Sequence, residues 1–342
     1  MLNNSTKILF TFTLMMGLLI VISSNSWLSA WMGLEINLLS FIPLMSNNDN
    51  ILTTEASLKY FLVQALTSAS LLFIILSKSL FESMFSIFSN SMSSTMIMIP
   101  LLMKSGVAPL HWWFPSVMEG LSWNNCFILM TMQKIAPLLL ISYVVYPNMP
   151  FNLIILLSVI VGALGGFNQT SIRKILTYSS INHVGWMLAA MLMGKNMWMT
   201  YFSIYLVLTL TVILIISPMQ MSFINQIFMM NEDNKIMKFL LFSSLLSLGG
   251  LPPFLGFLPK WLIVMFMMTN YSFTLISIMT ILSLITFYYY LRITYSSFII
   301  LSMESNWNNK SSENKTILLF PILMTMISIM GLIFSTLFII LL

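Results

Sequence analysis

Four ionisable side chains lie inside long apolar stretches of the sequence: Glu35, Lys104, Lys134 and Lys260. A charged group that faced lipid would cost about 2.5 to 3.5 kcal/mol or more, so these side chains are predicted to face protein, water or one another. Burial favours the neutral form of a carboxyl or amino group, and an opposite charge nearby restores the ionised form. A lysine held between these effects can accept and release a proton, whereas an arginine would stay charged. The four residues are therefore candidates for proton transfer.

Each of these charges also has a structural interpretation. A lysine can extend its ammonium group to the lipid headgroups, and a buried lysine and carboxylate can form a static ion pair. If the chain contained only one buried lysine, these structural interpretations would explain it well. Four such charges in one chain, with Lys104 and Lys260 beside interruptions rich in glycine and proline, favour proton transfer.

The only two histidines, His111 and His183, are candidate proton relays because histidine titrates near neutral pH. Plain hydrogen bonding between helices is the alternative for both, and the sequence does not choose between them. Two histidines without supporting Cys or Asp spacing do not predict a metal site. The single cysteine, Cys126, excludes an intrachain disulfide and an iron–sulfur cluster held by this chain alone.

The composition is that of a polytopic membrane protein. Hydrophobic residues make up 58% of the 342 residues and charged residues only 7%, whereas a soluble domain has about 25% charged residues. The net charge of +5 is spread along the chain and does not indicate nucleic-acid binding.

Apolar windows of about 20 residues, the length that crosses a bilayer, predict an all-α fold with about eleven transmembrane helices. The predicted spans are 7–24, 26–45, 54–77, 93–119, 122–145, 150–169, 172–193, 197–219, 237–268, 271–298 and 315–340.

Two of these spans, 93–119 and 237–268, are too long for one straight crossing and share a Gly-x-x-Pro-x5-Pro pattern. The pattern comprises Gly106, Pro109 and Pro115 in the first span and Gly250, Pro253 and Pro259 in the second. Proline removes a backbone donor and clashes with the preceding turn, so each span is predicted to be a broken helix lining a hydrated cavity.

The two broken spans are the fourth and the ninth, so the pattern recurs five spans later, and an odd number of crossings per repeat predicts inverted repeats, as in ion-coupled transporters. We therefore predict one membrane domain over 1–342, with a first repeat at 7–145, a second at 150–298 and a C-terminal helix at 315–340. Lysines and arginines gather on the N-terminal side, which predicts that this side faces the inner compartment and that the C-terminus faces the opposite one.

Several segments then resemble a known family. They are "WMGLEIN", "KSGVAPLHWWFPSVMEGLSW", "QKIAPL", "SSINHVGWM" and "LGGLPPFLGFLPKW". Together they closely resemble the antiporter-like membrane subunits of mitochondrial respiratory complex I (NADH:ubiquinone oxidoreductase), and the composition resembles an insect member. The resemblance covers nearly the whole chain. It implies two inverted five-helix bundles, each with one discontinuous helix, and eleven helices in animal forms.

The resemblance also implies roles for the buried charges. Glu35 and Lys104 match the carboxylate–lysine pair of the first bundle, and Lys134 matches the central lysine that links the bundles. Lys260 matches the basic residue of the second broken helix, toward the exit side. The two repeats are not strictly symmetric, since Lys104 precedes its break and Lys260 follows the other.

The implied function is to couple NADH oxidation and ubiquinone reduction to proton translocation across the mitochondrial inner membrane. NADH, flavin (FMN), iron–sulfur clusters and ubiquinone would be bound by other subunits of this H⁺-translocating NADH:ubiquinone reductase.

Structural phospholipids are expected around the chain. Its partners would be the mitochondrially and nuclear-encoded subunits of the complex, especially neighbouring antiporter-like and small membrane-arm subunits. The N-terminus would face the matrix and the C-terminus the intermembrane space. An autonomous cation/proton antiporter and a structural spacer within the complex are the alternatives.

Overall fold

A computed structural model describes residues 4–47, 50–81, 90–228, 235–269, 272–295 and 315–341. These residues form fifteen helices. In chain order they are α1 (Asn4–Ser23), α2 (Trp27–Met45), α3 (Ile51–Phe81), α4 (Asn90–Ser105), α5 (Trp113–Gly120), α6 (Trp123–Met130), α7 (Met132–Val144), α8 (Met149–Phe167), α9 (Ile172–Met193), α10 (Lys195–Met219), α11 (Ile224–Phe228), α12 (Lys235–Gly249), α13 (Phe257–Thr269), α14 (Phe273–Tyr295) and α15 (Lys315–Leu341).

The predicted all-α class is confirmed, since the described residues contain only one isolated β-bridge, between Ser171 and Phe223, beside the helices. Each predicted span coincides with one helix or with two consecutive helices. By length and composition, 7 helices of the described ranges could cross a membrane, and further apolar helices are shorter. The count of eleven crossings stays a prediction.

Both predicted helix breaks are confirmed. α4 ends at Ser105 and α5 begins at Trp113, and α12 ends at Gly249 and α13 begins at Phe257. A glycine in the left-handed region follows each ending helix, Gly106 at φ 73° and Gly250 at φ 83°. Only glycine enters this region without a steric cost from Cβ, which is why glycine ends both half-helices.

The first break has the hydrogen bonds of a Schellman cap. The amide of Gly106 donates to the Met103 carbonyl at 3.2 Å, and the amide of Val107 donates to the Leu102 carbonyl at 3.1 Å. At the second break, the amide of Gly250 donates to the carbonyls of Leu246 and Ser247 at 3.2 and 3.1 Å. The peptide bond before Pro109 is cis, as is that before Pro253.

The chain divides into two compact units, Met1–Ser158 and Val159–Leu342. In the first unit, α1 packs along α2, α4 packs against α3 and α7, and α3 packs against α5. In the second unit, α9 packs against α10 and α13, and α12 packs against α10, α14 and α15. The predicted repeat boundaries, 7–145 and 150–298, stay predictions.

Candidate functional site

Lys104 lies in the last turn of α4, immediately before the first break, and only 6% of its surface is exposed. Side chains of other helices donate hydrogen bonds to the last carbonyl groups of this half-helix. Trp113 donates its indole N–H to the Met103 carbonyl at 3.1 Å, and Gln64 donates its amide N–H to the Lys104 carbonyl at 3.4 Å. A membrane offers no hydrogen-bond partners to a broken helix, so the protein supplies them here.

A small, partly open cavity of about 10 Å³, room for about one water molecule, borders Lys104. Its lining residues are Leu34, Asn37, Leu38, Tyr60, Gln64, Lys104, Gln133 and Pro137. A chain of hydrogen bonds runs along the polar side of the cavity. The Tyr60 hydroxyl donates to Gln133 Oε1 at 3.2 Å, and Gln133 Nε2 donates to Asn37 Oδ1 at 3.0 Å. Polar groups that converge on a space of this kind can hold water.

Sequence reasoning missed these neutral polar residues. Asn37 lies two positions after Glu35, and Gln133 immediately precedes Lys134. A carboxamide inside an apolar window was an available signal, because such groups in membrane helices need a hydrogen-bond partner in another helix. The sequence analysis considered only charged and titratable side chains and therefore did not identify Asn37 and Gln133.

Glu35 lies on α2 and is partly exposed, but its Oε2 atom is buried and has no hydrogen-bond partner among the described residues. Its carboxylate is close enough to act on the charge of Lys104. The two groups do not form a direct ion pair, since no contact within 4.0 Å joins the Lys104 nitrogen to a Glu35 oxygen. Glu35 and Lys104 therefore interact electrostatically without a direct ion pair.

Lys134 lies in the first turn of α7 and is 2% exposed. α6 and α7 meet at Thr131, so this predicted span is interrupted one turn before the lysine. The Lys134 ammonium group lies 4.7 Å from the centre of the Phe114 ring, a cation–π geometry. Phe114 belongs to α5, the second half of the broken helix, and its neighbour in space is Gly106 at the break. Lys104 thus belongs to the first half of the broken helix, and Lys134 lies against its second half.

Lys260 lies on α13 just after the second break and is 8% exposed. Its ammonium group donates a hydrogen bond of 2.8 Å to the Gly249 carbonyl at the end of α12. It also lies 6.0 Å from the centre of the Trp186 ring on α9. A cation at a helix C-terminus is favoured by the partial negative charge of the last carbonyls, which explains why a lysine is stable there.

The two histidines have different surroundings. His111 lies within the first break, where Nδ1 is 3.2 Å from the Pro109 carbonyl and the ring stacks on Trp112, a side chain that is 81% exposed. His183 is buried on α9, with Nδ1 2.9 Å from the Tyr201 hydroxyl. The structure thus places Glu35, Lys104 and Lys134 in the first unit, with Glu35 near Lys104, and Lys260 and His183 in the second. The described residues contain no group of three or more His, Cys, Asp or Glu side chains suited to a metal ion.

Comparisons with known proteins show what the chain is similar to. A model of the membrane domain family "NADH:quinone oxidoreductase/Mrp antiporter" matches residues 24–286. A protein named NADH-ubiquinone oxidoreductase chain 2 from Anopheles gambiae is 51% identical over 327 residues, which are 95% of each chain. The protein of the same name from Locusta migratoria is 45% identical over 342 residues, 100% of this chain and 99% of its own.

A solved structure has the same fold. A chain of respiratory complex I from Thermus thermophilus superposes with a TM-score of 0.79 at 22% identity, covering 95% of this chain and 78% of that one.

Proposed function

The chain belongs to the NADH:quinone oxidoreductase/Mrp antiporter family of membrane proteins, and from that premise we propose that it is a proton-translocating subunit of the membrane arm of mitochondrial respiratory complex I. The observation that carries the proposal is Lys104, a buried lysine beside a broken helix and a cavity with polar lining. Such a group is costly in a membrane protein and is retained where protons or ions move.

The proposed proton-transfer groups are Glu35, Lys104, Lys134 and Lys260, with His111 and His183 as candidate relays. A lysine bound to water can take up a proton while a carboxylate is near, and it releases the proton when that charge moves away or is neutralised. The absence of a direct ion pair between Glu35 and Lys104 supports this mechanism, because a small displacement changes their interaction more easily than it would break a tight ion pair. Lys134 is the next acceptor, since Gln133 joins its helix to the cavity of Lys104.

The chain's contribution to the complex is proton transfer. NADH oxidation and ubiquinone reduction, with their flavin and iron–sulfur cofactors, belong to other subunits, which are its partners. Many large apolar side chains on the described helices are exposed, such as Ile8, Leu66 and Phe73. Lipid and neighbouring antiporter-like or small membrane-arm subunits would cover them.

The protein is a multi-pass protein of the mitochondrial inner membrane in this proposal. Eleven crossings would place the N-terminus in the matrix and the C-terminus in the intermembrane space, in agreement with the positive charges on the N-terminal side. A glycine in the left-handed region at both breaks supports the assignment of 7–145 and 150–298 as inverted repeats.

The test is Lys134→Ala in the assembled complex, with Lys59→Ala as the matched control because Lys59 lies on the exposed side of α3. Assembly should be preserved in both variants. NADH-driven proton translocation should fall by about tenfold or more in Lys134→Ala only, since a positioned proton-transfer group contributes about 10²- to 10⁴-fold. Unchanged translocation in Lys134→Ala would instead support the role of a structural spacer, and cation/proton exchange by the isolated chain in liposomes would support an autonomous antiporter.

A further inference from the structure

A cluster of buried hydroxyl groups lies in the second unit, apart from the lysines. Helices α9, α10 and α14 contribute it, and every member is nearly inaccessible to solvent. We call it the tyrosine cluster and define it as Ser179, Ser180, Tyr201, Tyr205, Tyr289 and Tyr290. Ser179 and Ser180 fall in the segment "SSINHVGWM" of the sequence analysis, but the four tyrosines were not singled out, because a single tyrosine is unremarkable in a membrane helix.

The cluster begins at His183. The imidazole Nδ1 is 2.9 Å from the Tyr201 hydroxyl, and the imidazole ring centre is 5.2 Å from that of Tyr205. Tyr205 in turn faces Ser180 and interacts with Tyr201 and Tyr290.

The far part of the cluster is formed by the two neighbouring tyrosines of α14. Tyr290 faces Ser179, and the ring centres of Tyr289 and Tyr290 are 4.7 Å apart. Side chains capable of hydrogen bonding therefore lead from His183 toward Tyr289.

The serines of the cluster are oriented as acceptors. The Ser179 hydroxyl donates to the Leu176 carbonyl at 2.9 Å, and the Ser180 hydroxyl donates to the Thr177 carbonyl at 2.7 Å. Each serine oxygen thus uses its only proton on the backbone of α9 and keeps its lone pairs for a neighbour. These lone pairs can accept hydrogen bonds from the tyrosine hydroxyls or from water between them.

The hydroxyl oxygens of Tyr289 and Tyr290 are fully buried and have no well-aligned hydrogen-bond partner among the described residues. Leaving a buried hydroxyl without a hydrogen bond is costly, and native proteins usually satisfy such groups with ordered water. Packing alone does not account for the hydroxyls, because phenylalanine has the same ring without this penalty. The cluster is thus a polar site within the apolar part of the second unit.

We propose that the tyrosine cluster holds internal water and forms a proton path that ends at His183. In each transfer, one tyrosine or water oxygen accepts a proton from the donor on one side while its own proton passes to the acceptor on the other, and the serine oxygens hold these groups in place by accepting hydrogen bonds. Every hydroxyl and water along the path is neutral before and after the transfer, and the net change is one proton gained by His183 and one lost by solvent at the other end of the path, or the reverse. No tyrosinate forms, and no oxidant or further reactant is needed.

The position of the cluster gives the path a direction. Ser179 and Ser180 precede His183 by about one turn of α9, toward the end that carries Arg173 and Lys174. At that end the Arg292 guanidinium, from the last turn of α14, donates to the Gln169 carbonyl at 3.0 Å. The path therefore runs from the middle of α9 toward its N-terminal end. This inference rests on the proposed function, in whose orientation that end faces the matrix.

The experiment compares three variants of the assembled complex: Tyr205→Phe/Tyr290→Phe, Tyr290→Phe alone, and Tyr288→Phe as the control. Tyr288 is on the same helix but is 51% exposed and stacks on Phe167. Each change removes only hydroxyl oxygens and keeps the rings. NADH-driven proton translocation should fall about tenfold in the double variant, equivalent to about 1.4 kcal/mol on the barrier. It should fall less in Tyr290→Phe and stay unchanged in Tyr288→Phe.

The solvent deuterium isotope effect on turnover provides a readout that a structural role would not change. It should rise in the cluster variants, because proton transfer through the damaged path becomes rate-limiting. If the double variant does not assemble, proton translocation and the isotope effect of Tyr290→Phe alone are used to test the inference. Normal translocation and an unchanged isotope effect in the assembled cluster variant would overturn the inference. Lys134→Ala measured in parallel keeps the outcomes separate: impairment by Lys134→Ala alone overturns the tyrosine path but leaves the proposed function intact.

Discussion

The Lys260 ammonium group donates a hydrogen bond of 2.8 Å to the carbonyl of Gly249, across the second helix break. A candidate proton carrier is thus also a structural tie between the two half-helices. Release of its proton would leave a neutral amine, which can still donate to the carbonyl, but with less strength than a charged donor. The break and the charge state of Lys260 are therefore coupled, and the two roles can be separated by substitution.

Lys260→Met removes both the charge and the hydrogen bond and leaves the buried Gly249 carbonyl without this donor. We expect a loss of stability of about 1–3 kcal/mol, together with impaired proton translocation. Lys260→Arg keeps a charged donor but cannot release its proton readily, so it should recover thermal stability without recovering translocation. Thermal denaturation of the assembled complex and NADH-driven proton uptake measure the two effects. Full translocation in Lys260→Arg would contradict a proton-carrying role.

Glu35→Gln removes the charge that acts on Lys104 but keeps the size and hydrogen-bonding capacity of the side chain. We expect coupled turnover to fall by about tenfold, since the change of charge that drives proton release is lost and each tenfold costs about 1.4 kcal/mol. Glu55→Gln is the control, because that carboxylate forms an exposed pair with Lys59. The comparison is made by measuring proton translocation per NADH oxidised. Equal results for the two variants would refute a special role for Glu35.

Gln133 joins Tyr60 and Asn37 at the cavity beside Lys104. Gln133→Met should lower stability by about 1–3 kcal/mol, because buried polar partners lose their hydrogen bonds. Turnover should also fall if these bonds hold water beside Lys104. A double-mutant cycle with Tyr60→Phe should give a coupling of about 0.5–1.5 kcal/mol between the two side chains. Strict additivity in thermal denaturation would show that their hydrogen bond contributes nothing.

Gly106→Ala and Gly250→Ala test the caps of the two half-helices. An L-residue in the left-handed region costs about 1–2 kcal/mol, so both variants should be less stable. A Cβ at position 106 would also lie 3.3 Å from Phe114, and one at position 250 would lie 3.1 Å from the Lys260 side chain. Ser116→Ala, on α5 beyond the first break, is the control, since its hydroxyl donates only to the Trp113 carbonyl one turn back. A stability equal to that of the control would show that the glycine conformations are not required.

The sequence was sufficient for the helical class, the two breaks and the buried charges. Hydropathy measures the free energy of transfer into lipid residue by residue, and it needs no knowledge of neighbours. Gly106 and Pro109 interrupt a helix through local sterics, so their spacing alone located the first break. Lys104, Lys134 and Lys260 stood out because a charge in an apolar window is costly wherever the helix packs.

What the sequence by itself determined, then, was which residues are costly to bury and where the backbone cannot stay helical. Only the tertiary structure determined which neighbouring groups compensate for the cost of burying these residues. The placing of Gln133 between Tyr60 and Asn37, of Phe114 against Lys134, and of Tyr205 and Tyr290 near His183 depends on how separate helices pack. These contacts join residues far apart in the chain, and neutral polar side chains carry no local signal of their partners. The physical reason is that burial has a local cost, whereas its compensation by hydrogen bonds and nearby charges is a property of the packed helices.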